Sequence, residues 1–146
     1  MGIFYENSII PAHLRRDFDV YDRIEKIDLN LGTFDEWMAR DLKGANICSA
    51  VFHESGLVYL SGYGYGPGQM YDDSERIKEG QEAAQFIADS MIGRLHWALV
   101  CGGEGGDLND MIYTVKGLGM VVSTDVAFDN APAVMNGFSS RWQSVF

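Results

Sequence analysis

Metal binding, nucleophilic attack and phosphate cradling each need particular side chains at particular spacings. The three histidines, His13, His53 and His96, are far apart in sequence. No His-x-x-x-His or Cys-x-x-Cys pair accompanies them, so ligand spacing for a transition metal is lacking. His96 reads instead as a core-edge or interface residue. Asp107-Leu108-Asn109-Asp110 offers oxygen ligands, but without the glycine and distant glutamate of a calcium loop. Asp107 therefore reads as turn chemistry. Cys101 is expected at a helix C-terminus, where the dipole disfavours a thiolate. Ser61 has no Gly-x-Ser-x-Gly elbow around it. The dinucleotide fingerprint wants glycines at positions one, three and six. Registers starting at Gly62, Gly64, Gly103 and Gly117 place Pro67, Gln69, Leu108 and Val122 at the sixth position. All four fail.

The elements that would hold these residues follow from periodicity. Phe18, Tyr21, Ile24, Ile27 and Leu31 recur at spacings of three and four, predicting an amphipathic helix over 17–31, ended by Gly32. Thr33 with Glu36 is a capping-box pattern, predicting a short helical piece through Met38. Residues 47–53 and 57–61 are strand-like, with Glu54-Ser55-Gly56 as a hairpin turn. Gly62 to Gly68 must be a loop. Asp72-Asp73-Ser74 can cap a long helix over 74–101 whose inner face is Ala84, Ile87, Met91, Leu95 and Ala98. Met111 to Val122 reads as a mostly buried strand. Asp129 or Asn130 then caps a closing helix, with Pro132 in its first turn. Val134, Met135, Phe138, Trp142, Val145 and Phe146 form its apolar side. The order β-β-α-β-α predicts an α+β layer fold.

The chain has 146 residues, 11 basic and 21 acidic, giving a net charge of −10. That fits one domain and argues against nucleic-acid and anionic-membrane partners, which need basic patches. No apolar run reaches the roughly 20 residues of a membrane span. Met1 to Glu6 lacks a signal-peptide pattern, and Glu6 stands where a myristoylation signal wants Ser or Thr. Cys48 and Cys101 make no disulfide framework, and a cytoplasmic location is expected.

Several motifs occur in a recognisable order. Val58-Tyr59-Leu60-Ser61-Gly62 comes first, followed by the helix from Gly80 to Cys101. Then come Gly106-Asp107-Leu108, an apolar run with Lys116, Phe128-x-x-x-Pro132-x-Val134-x-Asn136-Gly137-x-Ser139, and a closing Val145-Phe146. This order resembles the Rid family, the reactive-intermediate deaminases also labelled YjgF-like or L-PSP proteins. The resemblance implies a Rid-like (chorismate-mutase-like) domain over 47–146, preceded by an N-terminal arm and amphipathic helix over 1–46. It also implies a homotrimer with a ligand cleft between neighbouring subunits and no cofactor.

In that family an arginine from the strand after the second helix clamps the substrate carboxylate. A glutamate on the last strand orients a water that attacks the C=N carbon, and ammonia leaves. Ser61 and Gly62 match the family's Leu-Ser-Gly strand end, and Asn136 matches its helix asparagine. Ile47 stands where the family often has a tyrosine, removing a hydroxyl. The arginine and glutamate have no counterpart within 1–146, so the catalytic residues are unknown. Arg141 lies five residues, about 140°, beyond Asn136 and reads as a surface residue. Ser140 shares the asparagine's face. The final strands are expected from the same gene or a companion chain. The expected function is hydrolytic deamination of small imine or enamine carboxylates by a composite or truncated enzyme. A non-catalytic Rid-like binding or assembly protein is the alternative, and the acidic balance opposes the family's nuclease label.

Overall fold

The computed structural model describes residues 16–42, 48–64, 74–101, 106–111, 114–121 and 130–146. The N-terminal arm, Ile47, the 65–68 glycines, Asp72, Asp73 and Asp129 lie outside the described residues. The elements are α1 (Val20–Lys26), α2 (Phe34–Leu42), β1 (Cys48–Phe52), β2 (Val58–Gly62), α3 (Ser74–Val100), a 3-10 turn (Leu108–Asp110) and α4 (Ala131–Val145). Two antiparallel strands pack against α3, which pairs with α4, a mixed α+β arrangement.

Helix α1 is shorter than its apolar period predicts. Asp19 caps it, its Oδ1 accepting from Tyr21 N–H at 2.9 Å. At the other end Leu29 N–H donates to the Ile24 carbonyl and Asp28 N–H to Glu25, both at 3.0 Å. Asp28 takes φ +53° between them. That is a Schellman close, with Asp where glycine is usual. Gly32 therefore does not end this helix. Burial of both Ile24 and Leu29 provides the hydrophobic contact that holds the close in place. The capping box ahead of α2 forms as read: Glu36 N–H donates to Thr33 Oγ1 at 3.2 Å and Thr33 N–H to Glu36 Oε2 at 3.4 Å.

Helix α3 is apolar on two sides, which a single-face reading merges. Ala84, Ala88, Ile92, Leu95 and Leu99 form the buried line. Ile92, Leu95 and Leu99 share the core with Val20, Ile24, Leu29, Leu108 and Val145. Complete burial of each is worth about 1.5–3 kcal/mol. Ile87 and Met91, assigned to the same face, turn instead toward the hairpin, under Gly64 and Gly62. α2 rests on the C-terminal half of α3, where Trp97 Nε1 donates to the Leu31 carbonyl at 3.0 Å.

Helices α3 and α4 run side by side in the same direction. Gln81 Nε2 donates to the Ala133 carbonyl and Arg141 pairs with Asp89, both links joining residues 52 apart. A constant offset over two helical turns requires parallel axes. The link between them must therefore return along the pair. Its described part does so against α4: Thr114 Oγ1 accepts from Trp142 Nε1 at 2.9 Å, and Gly119 abuts Met135.

That return overturns the expected third strand. Residues 114–121 have no strand partner among the described residues, and Val115, Leu118 and Met120 are 66, 82 and 80% exposed. A strand needs a laddered neighbour. The hairpin lies on α3, whereas this segment follows α4. The described order is α-α-β-β-α-α, so the β-β-α-β-α reading is correct only in its first three elements and its last.

Candidate functional site

The hairpin positions Ser61 and Gly62. His53 N–H donates to the Leu57 carbonyl and Gly56 N–H to His53, with Gly56 at φ +95°. This turn sets the register Ser49 to Ser61 and Cys48 to Gly62. Because strand side chains alternate, Ser49, Val51, Tyr59 and Ser61 face outward while Cys48 and Gly62 face α3. The Ser49 and Ser61 hydroxyls lie 2.6 Å apart. One donates to the other, leaving one hydroxyl proton for a ligand. Gly62 is set by close packing: a Cβ there would come within 2.7 Å of Met91 Cγ and 3.3 Å of Cys48 Sγ. Burial pushes the Cys48 thiol up to about 11, so it is no nucleophile.

Asn136 is exposed in the second turn of α4. Asn130 is the N-cap residue, without a side-chain capping bond, and Pro132 opens the first turn. The hairpin and α4 each touch α3 and, among the described residues, do not touch each other. Gly62 sits at the level of Met91 and Gly137 at that of Gln81, a difference of about 15 Å along the helix. One chain therefore does not bring Ser61 and Gly62 together with Asn136. Ile47 lies outside the described residues.

Arg141 corrects its reading as a surface residue. Its Nε donates to Asp89 Oδ1 at 2.7 Å and its Nη2 to Oδ2 at 3.2 Å. The pair is mostly buried between α3 and α4. An aspartate on the neighbouring helix gives no signal in local sequence, so helical-wheel reasoning missed it.

The polar cluster that does assemble joins α1, α3 and the 3-10 turn. The Tyr21 hydroxyl accepts from Leu108 N–H at 3.0 Å and lies 2.8 Å from His96 Nδ1. Asn109 Oδ1 accepts from Val20 N–H, and its Nδ2 donates to Asp19 Oδ1. The Asn109 hydrogen bond, then that of Tyr21 N–H, holds the Asp19 carboxyl below its usual range. Asp107 and Asp110 make a reciprocal capping box, so Asp107 does turn chemistry as read. Burial pushes the Tyr21 phenol up to about 12, the wrong direction for a base. The cluster is a junction rather than a reaction centre, and His96 is its half-buried core-edge member.

A pH dependence follows. Burial lowers the His96 pKa from 6.5, and the Asp107 charge opposes it only in part. A depressed histidine contributes stability that is present above the unfolded value and lost as pH falls through the folded one. Wild type is therefore expected to be more stable than His96→Gln at pH 7.5. The gap should narrow as pH falls below about 6.5. Thermal melts across that range test it; a gap independent of pH would show that His96 is not held neutral.

Among the described residues no group of three His, Cys, Asp or Glu side chains could hold a metal ion, and no helix is long and apolar enough to cross a membrane. No protein-family model, curated protein or solved structure matches this chain.

Proposed function

We propose that this chain is the larger part of a Rid-type hydrolytic deaminase of small imine or enamine carboxylates. The strands bearing its carboxylate-clamping arginine and water-orienting glutamate come from outside residues 1–146. The observation that carries this reading is the ordered motif set from Val58 to Phe146, with Ser61-Gly62 at a strand end and Asn136-Gly137 on the closing helix. Two geometric features support it. The Ser49–Ser61 hydroxyl pair keeps one free proton at the hairpin's end, and Asn136 is exposed near the positive end of α4. Because these contact α3 about 15 Å apart along its axis and do not touch each other, a cleft containing both is an intersubunit cleft of a homotrimer or composite oligomer.

A non-catalytic binding or assembly role is the second reading. It is favoured by exposed apolar side chains on the outer hairpin face, Val51 and Tyr59 both at 59%, and along Val115, Leu118 and Met120. Apolar exposure on this scale marks an interaction surface. Ammonia release from imino acids generated by an amino-acid oxidase separates the two. Clear turnover by the complete assembly excludes a binding-only role.

Asn136→Ala sharpens that test. An exposed helical position should tolerate it within about 0.5 kcal/mol. Loss of one ligand hydrogen bond is expected to weaken carboxylate affinity or turnover by about tenfold. Unchanged affinity and turnover would remove Asn136 from the site.

A further inference from the structure

Two arginines meet where the segment before α1 crosses the C-terminal end of α4. The Arg23 guanidinium carbon lies 3.7 Å from the Phe18 ring centroid. That of Arg16 lies 5.9 Å from the same ring and 5.2 Å from the Phe146 ring. The helix end accounts for one of them, because Arg23 Nη1 donates to the Gln143 carbonyl at 3.5 Å and meets the negative end of the α4 dipole. It does not account for the other. Among the described residues, Arg16 Nη1 is buried and has no hydrogen-bond acceptor.

The electrostatics sharpen the anomaly. Arg16 is held below its ordinary pKa first by burial and then by the charge of Arg23. Among the described residues no carboxylate offsets that effect, although the chain carries a net charge of −10. A buried donor atom without an acceptor is unfavourable, and such an orphan calls for a missing partner. Guanidinium forks match oxyanions, which accept two parallel N–H bonds and cancel the like-charge repulsion. The Phe18 and Phe146 rings lie against the Arg16 guanidinium and offer it no hydrogen-bond acceptor.

We propose that Arg16 and Arg23 form an oxyanion-binding site, taking a carboxylate or a phosphate, at the junction of α1 with the end of α4. It is separate from the proposed deaminase cleft. Arg23 meets α4 at Gln143, seven residues or about 10 Å beyond Asn136. Its success or failure therefore leaves that reading untouched.

The full chain is titrated with inorganic phosphate, with benzoate, and with chloride at matched ionic strength. Tryptophan fluorescence suits the readout, because the Trp142 ring lies 4.8 Å from that of Phe146. One or both oxyanions are expected to bind saturably and raise the melting temperature, while chloride does neither. Which oxyanion binds more tightly distinguishes a phosphate from a carboxylate ligand. Arg16→Gln and Arg23→Gln are each expected to weaken binding at least about tenfold. Arg16→Lys, which keeps the charge and loses the fork, should fall between. Without ligand, Arg16→Gln should melt no lower than wild type, whereas a purely structural Arg16 would make it melt lower. Should Arg16→Gln fail to fold, Arg16→Lys and Arg23→Gln still decide. The proposal is overturned if chloride reproduces the oxyanion effect or if the variants bind as wild type. Absence of saturation up to about 10 mM would overturn it as well.

Discussion

Gly137→Ala is expected to lower the melting temperature by about 6–10 °C, although alanine is the better helix former. A Cβ at this position would collide with the Gln81 carbonyl oxygen and sit 2.7 Å from the Gln81 carbonyl carbon and Cα. Those atoms belong to the backbone of another helix and cannot rotate away. The N-terminal halves of α3 and α4 would have to separate, stretching the bond from Gln81 Nε2 to the Ala133 carbonyl, now 2.8 Å long. Overpacking usually costs about 1–3 kcal/mol, and a backbone clash belongs at or above the top of that range. The gain in helix propensity, about 1 kcal/mol, offsets only part. Gly117→Ala is the control, since a Cβ there meets nothing within 4 Å. It should melt within a degree or two of wild type. Equal melting of the two variants would mean that α3 and α4 do not approach through Gly137.

How much of this was legible in the sequence depended on whether a signal was local. The Thr33–Glu36 box, the Gly56 turn and both long helices came through because each rests on residues a few positions apart. The end of α1 did not, because a Schellman close with Asp28 in the left-handed region is held by burial of Leu29, a tertiary fact. The apolar run at 114–121 has strand composition, yet the parallel α3–α4 pair makes it a return path along α4, without a ladder partner among the described residues. Period alone could not give α3 two apolar sides, since Met91 answers to Gly62 and Ile92 to Val20 and Val145. Of the candidate site, Ser61, Gly62 and Asn136 are named by motif alone. Their separation along α3, Gly62 at Met91 and Gly137 at Gln81, depends on where the hairpin docks. The Tyr21–His96, Arg16–Phe146 and Arg23–Gln143 contacts join the α1 region to residues far along the chain, and nothing in either local segment announces them.

The same distinction governs the second large effect, at Asp89 and Arg141. Exposed ion pairs contribute at most about 1 kcal/mol, because water screens them and two long side chains must be ordered. Here the side chains are only 24 and 17% exposed, and the guanidinium meets both carboxylate oxygens as a fork. Removing one partner would strand the other, partly desolvated, against the opposing helix. Arg141→Ala and Asp89→Ala are therefore each expected to cost about 2–3 kcal/mol, below the 3–5 kcal/mol of a fully buried pair. For a chain of this size that is a fall of about 4–12 °C in melting temperature. The double variant should be much less than additive, since the second deletion removes the group the first left stranded. Replacing both by apolar residues of similar volume, Asp89→Leu with Arg141→Met, should restore most of the loss, because desolvation offsets much of the pair's attraction. Denaturant melts of the four single and double variants measure these terms. Additive single effects below about 0.5 kcal/mol would mean that the fork opens in solution and that α3 and α4 are held by Gln81 and apolar packing alone.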